Sequence, residues 1–183
     1  MTRAATIGMV LLGALAGAAL AADPVVITFD RAETGKPMPS YTDKERGVEF
    51  ALARKPTRSK APGRVTFFPH LKTDRKGILN AMANESIPVE VRFPKPVSSV
   101  TLELWGSIGS AALVEAYDKD GRVVDTAKRD KVPERIGPEK PIPSFELTVK
   151  APAIASVRFS GAPPGGYLVC DAVRFTPLTD PGK

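Results

Sequence analysis

The sequence predicts an all-β protein, built as an antiparallel sandwich of about eight to ten short strands. Apolar and polar residues alternate with period two in several segments, most clearly at residues 87–93 and 100–104. The 18 prolines and 15 glycines fall between these segments, where they interrupt any long helix. Half-polar alternation of this kind places one face of each sheet in the core and the other face in water.

The strands follow one another at short intervals from the amino terminus. Pro94 and Pro96 end one of them, because proline has no N–H to donate to a ladder. The Asp-Lys-Asp-Gly sequence at 118–121 predicts the turn of a hairpin. Residues 30–42 and 126–143 are predicted loops that contain several prolines. The predicted strands are 25–29, 47–53, 64–69, 87–93, 100–104, 113–117, 122–125, 145–150, 156–160 and 167–177, with a short apolar piece at 77–82.

The last predicted strand changes phase in its middle. Leu168 and Cys170 share one face, whereas Val173 and Phe175 are in the opposite phase. Side chains of a strand alternate with period two, so a change of phase requires an extra residue, a bulge or a bend. Asp171 stands where the phase changes, and we expect the irregularity there.

The amino-terminal segment predicts a secretory signal peptide rather than a part of the fold. Arg3 precedes an apolar run at 7–20, and the Ala-Leu-Ala sequence at 19–21 fits a small-x-small cleavage pattern. A membrane anchor is the alternative, but the run is about 14 residues long, short of the roughly 20 that a spanning helix needs. The predicted organisation is a signal peptide at 1–21, one β-sandwich domain at 22–177 and a tail at 178–183, in an exported protein without a membrane span.

Basic residues exceed acidic ones, 26 to 20, and the formal net charge is +6. The excess is concentrated between residues 44 and 76, with a second basic run at 128–131. This concentration favours an anionic partner such as an acidic cell-surface polymer, and a solvated loop face is the alternative. Few aromatic residues are interleaved with these charges, so a nucleic-acid surface that stacks bases is not expected.

Residues with catalytic chemistry are few. His70 is the single histidine and lies in a charged turn, so we expect it to be solvated rather than catalytic. Cys170 is the single cysteine, and we expect a buried strand residue rather than a reactive thiol. Glu90, Glu103 and Glu115 could pair as glycosidase carboxylates, but their polar positions on alternating strands predict a solvated outer face. The sequence therefore predicts a protein that is not an enzyme.

Several short segments together resemble those of a known family. They are Val-Ile-Thr-Phe-Asp at 26–30, Gly-Val-Glu-Phe at 47–50, the segment 91–104, the hairpin at 116–124 and the strand at 171–177. In this order they resemble the galactose-binding-like jelly-roll β-sandwiches, the fold of many carbohydrate-binding modules and discoidin-type domains in exported bacterial proteins. The matching motifs are strands and hairpins rather than site residues, so the resemblance implies the fold more than a function.

The resemblance also implies that the first and last strands are neighbours and that a structural calcium ion lies near the start of the domain. Asp30 and Asp171 are the positions that carry over to this metal site. Calcium takes six to eight oxygen ligands, more than two carboxylates supply. The alternative is that Asp30 caps a turn and Asp171 accepts backbone N–H groups at the bulge. No other cofactor is expected.

Aromatic residues are the candidates for ligand binding, because the C–H faces of sugars stack on aromatic rings. Trp105, the single tryptophan, is in the phase opposite to the core residues before it, so its ring either meets a ligand near a turn or packs across a sheet or under a loop. Tyr41 lies in the first loop, and Tyr167 follows two glycines. The expected function is a periplasmic or extracellular, non-enzymatic domain that binds a saccharide or another cell-surface polymer. An envelope domain that binds a protein partner and a glycoside-acting enzyme are the alternatives.

Overall fold

The computed structural model describes residues 22–58, 60, 62–70, 72–82, 85–106, 111–134, 137–162 and 167–178. Within these ranges the chain forms ten β-strands and no helix, so the all-β prediction is confirmed. The strands are β1 (Val25–Thr28), β2 (Ser40–Asp43), β3 (Val48–Leu52), β4 (Val65–Pro69), β5 (Lys76–Asn80), β6 (Val89–Gly106), β7 (Ala111–Tyr117), β8 (Val123–Arg129), β9 (Phe145–Ala162) and β10 (Leu168–Pro177). The described part of the chain has no helix that could span a membrane. The predicted signal peptide, and all but the first residue of the predicted tail, lie outside the described residues.

Two long strands, β6 and β9, connect the two halves of an entirely antiparallel sheet. The first part of β6 pairs with β3 and with the second part of β9, and the second part of β6 pairs with β10 and with the first part of β9. The remaining strands extend these halves: β2, β7 and β8 belong to one, and β1, β4 and β5 to the other. The register between β6 and β9 shifts between Arg92 and Val97, the interval that contains Pro94 and Pro96, which cannot donate to a ladder.

The two halves pack face to face around one hydrophobic core. The ring of Phe29 lies 5.3 Å from that of Phe50 on β3 and 5.5 Å from that of Phe67 on β4, measured between centroids, and these two strands belong to different halves. Val91 and Leu102, from the two parts of β6, are both fully buried in this core. The predicted antiparallel β-sandwich is therefore confirmed, with burial of apolar surface as its main source of stability.

The two ends of the domain pair with each other. β1 runs antiparallel to β10, with Val25 opposite Phe175 and Thr28 opposite Ala172. This pairing confirms the expectation that the first and last strands are neighbours.

β10 contains its irregularity at the predicted place. Cys170 lies opposite Leu104 of β6, and Ala172 lies opposite Glu103, so Asp171 is an extra residue without a partner in the register. Such a bulge reverses the alternation of side chains along the strand. Residues on both sides of it can therefore face the same core, as the phase change in the sequence predicts.

Some predicted boundaries are wrong. The segments 87–93 and 100–104 belong to the single strand β6, and 145–150 and 156–160 belong to β9. Prolines did not end β6, because they stand where its register with β9 is already irregular. Part of the predicted loop 30–42 is the strand β2, which pairs with β3.

Candidate functional site

Asp171 and Trp105 meet on the side of the sheet that faces away from the main core. Trp105 is fully buried in a second, small apolar cluster with Val169 and Ile142. Its indole Nε1–H donates a hydrogen bond to Oδ1 of Asp171 over 2.5 Å, and the Asp171 side chain is also fully buried. Of the two interpretations of Trp105 that the sequence left open, packing under a loop is the one observed, since Ile142 belongs to the connection between β8 and β9.

Gly77 of β5 makes room for the Asp171 carboxylate. A Cβ atom at position 77 would lie 2.5 Å from Oδ1 of Asp171, 2.4 Å from Cγ1 of Val169 and 2.7 Å from the carbonyl oxygen of Cys170. No side chain fits there without displacement of β10. A glycine is therefore required where β5 pairs with β10 beside the bulge.

Arg75 connects Asp171 to a second carboxylate. Its Nη2 lies 3.5 Å from Oδ2 of Asp171, and its Nη1 lies 2.6 Å from Oε1 of Glu103, which also accepts a hydrogen bond from Ser144 at 3.0 Å. Oδ2 of Asp171 has no hydrogen-bond partner among the described residues. Burial raises the pKa of Asp171, against the opposing effects of the Trp105 hydrogen bond and the Arg75 charge. The hydrogen bond from Arg75 lowers the pKa of Glu103, against the effect of its burial.

Two exposed aromatic rings lie against Trp105. Phe68 of β4 has 41% of its surface exposed and Tyr167, directly before β10, has 40%. Their ring centroids lie 6.1 Å and 6.0 Å from that of Trp105 and 6.5 Å from each other. We call Phe68, Tyr167 and the buried Trp105 the aromatic platform. Aromatic side chains have few rotatable bonds, so such a platform offers a large contact area at a low cost in conformational entropy.

His70 is part of the support of this platform. The prediction that His70 is solvated is wrong, because only 4% of the residue is exposed. Its Nε2–H donates to the carbonyl oxygen of Ile142 at 2.8 Å, its Nδ1 lies 2.8 Å from Oγ1 of Thr73, and its ring centroid lies 4.8 Å from that of Trp105. Since both nitrogens have partners within the protein, the imidazole holds the loop that carries Ile142 against Trp105.

Tyr41 and Asp30 lie in a different place from the platform. They line an open depression that is also lined by Val26, Arg31 and Arg46. The ring of Tyr41 contacts rings of the main core, including Phe29, Phe50 and Phe67. The structure therefore brings Trp105, Tyr167 and Asp171 together, and Tyr41 with Asp30, and no ring contact or hydrogen bond joins the two groups among the described residues.

The residues around Asp171 do not fit a calcium ion. Its Oδ1 accepts the indole N–H of Trp105, and the cation nearest to Oδ2 is the guanidinium of Arg75, which would repel a metal. Asp30 is exposed. No group of three or more acidic, histidine or cysteine side chains that could hold a metal exists in the described part of the chain. The partner of Asp171 is a protein donor, although this donor is an indole rather than the backbone amide that the sequence suggested.

The other candidate carboxylates are paired within the protein. Glu90 is buried rather than solvated as predicted, with its Oε1 2.8 Å from Nε of Arg158 and its Oε2 2.5 Å from Nη2 of Arg92. Glu115 accepts a hydrogen bond from the Tyr117 hydroxyl at 2.9 Å. These carboxylates are therefore occupied by strong internal partners.

Cys170 is a core residue, as expected. It is fully buried, and its thiol donates to the carbonyl oxygen of Ala172 at 3.3 Å. Burial raises the pKa of the thiol well above its ordinary value. A neutral, buried thiol packs as a small apolar side chain and is a poor nucleophile.

Similarity to known proteins is confined to solved structures. No protein-family model matches this sequence, and no curated protein matches it. CsCBM6-3 from Clostridium stercorarium, solved in complex with cellobiose, is 12% identical over 70% of this chain and 92% of that chain, with a TM-score of 0.38. The family 11 carbohydrate-binding module of a cellulosomal cellulase of Clostridium thermocellum is 10% identical over 88% and 99%, with a TM-score of 0.36. The cleaved adhesin domain of Lys-gingipain from Porphyromonas gingivalis is 12% identical over 86% and 99%, with a TM-score of 0.42. These identities and TM-scores are too low for any function or residue role to carry over to this chain.

Phe68, Arg75 and His70 belong to the site but were not predicted as site residues. A signal for Phe68 existed, since Val65 and Phe67 occupy the inward phase of β4 and leave Phe68 in the outward phase. Arg75 and His70 carry no comparable local signal. Their roles depend on Asp171 and Ile142, which are distant in sequence.

Proposed function

We propose that this chain is an exported, non-enzymatic binding domain whose ligand is a saccharide of a cell-surface polymer. The aromatic platform is the observation that carries the proposal. Phe68 and Tyr167 expose large apolar surfaces side by side, and Trp105 supports both from below without reaching solvent itself. The C–H face of a pyranose ring is apolar, and it gains from contact with such rings.

The platform is held more rigidly than two surface rings would be alone. The buried hydrogen bond between Trp105 and Asp171 fixes the indole, and His70 contacts the same ring from another side. Preorganised contacts lower the entropic cost of binding. Arg75 and Glu103, which remain partly exposed on the other side of Asp171, offer a donor and an acceptor for sugar hydroxyls.

Trp105 contributes to binding as a support in this proposal, and Tyr167 as a contact residue. Tyr41 stays a candidate contact for the separate depression that it lines with Asp30. Export rests on the predicted signal peptide at residues 1–21. Its test is the location of the chain and the amino terminus of the mature protein after expression in a bacterial host.

A glycan array with the purified chain tests the binding proposal. We expect binding to neutral glycans by the wild type, and a loss of about tenfold or more in affinity for Phe68→Leu and for Tyr167→Leu, since aromatic contacts contribute beyond apolar area alone. Leucine keeps an apolar side chain but removes the aromatic face. Val123→Ala, at an exposed residue of β8, is the control and should bind as the wild type does. Absence of neutral-glycan binding by the folded wild type would contradict the proposal and favour the alternative of a protein partner.

A further inference from the structure

The loop between β3 and β4 presents positive charges beside an open depression. This depression has a volume of about 590 Å³ and is lined by Arg54, Lys55 and Lys60 together with apolar Leu52, Pro56 and Pro62. We call these six residues the basic groove. None of the described residues that line it is acidic.

Two of the three cations of the groove differ from the arginines that are paired with carboxylates. Arg46, Arg92, Arg158 and Arg174 each have a carboxylate partner. Lys55 and Lys60 are exposed and have no ion pair within the described ranges of the chain. Cations without internal partners keep their full attraction for an external anion.

The loop is also fixed in place. The carboxylate of Glu85, which is buried, accepts hydrogen bonds from the backbone N–H of Thr57 at 2.8 Å and of Arg58 at 2.6 Å. The same carboxylate lies 3.6 Å from Nη1 of Arg54. Glu85 therefore uses its carboxylate to hold this loop.

We propose that the basic groove binds an acidic polysaccharide, a chain of sugar rings that carry carboxylates. Alternating cationic and apolar lining suits a ligand with anionic groups and C–H faces, and proline and leucine supply the apolar contacts. The described residues of the lining include no aromatic ring on which a nucleobase could stack. A concave surface of this volume fits a polymer chain better than the flat surface of a lipid bilayer. This inference rests on the proposed function in one respect, the saccharide nature of the ligand, but it uses a site separate from the aromatic platform.

Calorimetric titration with polygalacturonate and with its fully methyl-esterified form tests the groove, because the two polymers share a backbone and differ in charge. We expect the wild-type chain to bind polygalacturonate, to lose affinity as NaCl rises, and to bind the methyl ester far more weakly. The double variant K55Q/K60Q should bind polygalacturonate at least about fivefold more weakly, as expected for two exposed ion pairs. The matched control K95Q/K150Q removes two exposed lysines that also lack an ion pair in the described residues, and it should retain wild-type affinity.

Equal losses in the two double variants would overturn the proposal, since net charge rather than the groove would then be responsible. Equal binding of the methyl ester, no binding of polygalacturonate, or stronger binding to phosphatidylglycerol vesicles than to polygalacturonate would overturn it as well. K55Q/K60Q should keep the neutral-glycan binding of the wild type, whereas Phe68→Leu should keep its affinity for polygalacturonate. These two variants therefore distinguish a wrong proposal for the basic groove from a wrong proposal for the aromatic platform.

Discussion

The carboxylate of Asp171 accepts the indole N–H of Trp105 across 2.5 Å, with both side chains buried. The two residues lie on adjacent strands, β10 and β6, and Asp171 is the extra residue of the bulge in β10. A structural irregularity in the last strand thus supports the single tryptophan and, through it, the exposed rings of Phe68 and Tyr167.

Removal of this donor should destabilise the protein. Trp105→Phe leaves Oδ1 of Asp171 buried without its hydrogen-bond donor, and we expect a loss of about 2 kcal/mol in the free energy of unfolding. Urea denaturation followed by circular dichroism measures it. The double variant W105F/D171A should lose less than the sum of the two single losses, because the residues interact directly. Strict additivity would show that the bond contributes nothing specific.

The buried carboxylate of Asp171 should make stability depend on pH with an unusual sign. Its pKa is raised by burial above the ordinary value of 3.8, so the folded state holds this proton more tightly than the unfolded state. The contribution is therefore complete at pH below about 4 and is lost as pH rises through the folded pKa. Compared with Asp171→Asn, which cannot titrate, the wild type should lose stability as the pH rises from about 4 through the folded pKa of Asp171.

Glu103 supplies a control of opposite sign for this experiment. The hydrogen bond from Arg75 lowers its pKa below 4.5, so its contribution is present above that pH and is lost as pH falls through the folded pKa. Relative to Glu103→Gln, the wild type should become less stable in acid. The charges of Arg75 and His70 also act on Asp171, and Arg75 is shared with Glu103. The same pH trend in both comparisons would contradict the opposite directions of the two pKa shifts.

Gly77 should tolerate no side chain. In Gly77→Ala the new methyl group overlaps Asp171, Val169 and the backbone of β10, at distances of 2.4–2.7 Å, and we expect a loss of at least about 2 kcal/mol. Gly121→Ala is the control, because it introduces backbone strain without a steric overlap. Gly121 has φ of +76° but no atom within 4 Å of its ideal Cβ position, so that substitution should cost only about 1 kcal/mol. Similar thermal midpoints for the two variants would argue against a close approach at position 77.

Glu85 should control the order of the loop beside the basic groove. Glu85→Ala removes the acceptor of the Thr57 and Arg58 amides, and we expect about 2 kcal/mol of destabilisation. Trypsin should then cleave within residues 54–60 faster than in the wild type, as mass spectrometry of the fragments would show. Glu139→Ala is the control, because Glu139 is largely exposed and its ion pair with Lys72 lies on the surface. Unchanged cleavage in Glu85→Ala would mean that other contacts fix the loop.

Local patterns in the sequence were sufficient for much of the fold. The alternation of apolar residues identified most strands, and the phase change around Asp171 located a bulge to the residue. These features depend on residues that are neighbours in the chain, where period-two alternation is a direct consequence of strand geometry. The continuity of β6 through Pro94 and Pro96 was not predictable in this way, because it depends on how β9 aligns beside it.

The candidate site depends on contacts that are distant in sequence. Trp105 was identified with its correct phase, but its burial depends on other segments, among them Ile142, which the hydrogen bond from His70 holds in position. In the same way, Glu90 occupies a polar position in its strand, and Arg158 on the neighbouring β9 buries it. The alternation of apolar and polar residues predicts the face of the strand on which a side chain lies. Whether that face is exposed to solvent depends on packing against another segment of the chain.

The position of Trp105 gives this protein a natural optical reporter. The chain has one tryptophan, and it lies buried beneath the two rings proposed to contact the ligand. Its emission therefore comes from a single environment, shielded from water and next to a carboxylate. Occupation of the platform, protonation of Asp171 and release of the Ile142 loop would each alter that environment. Unlabelled protein can thus report on the site by its own fluorescence.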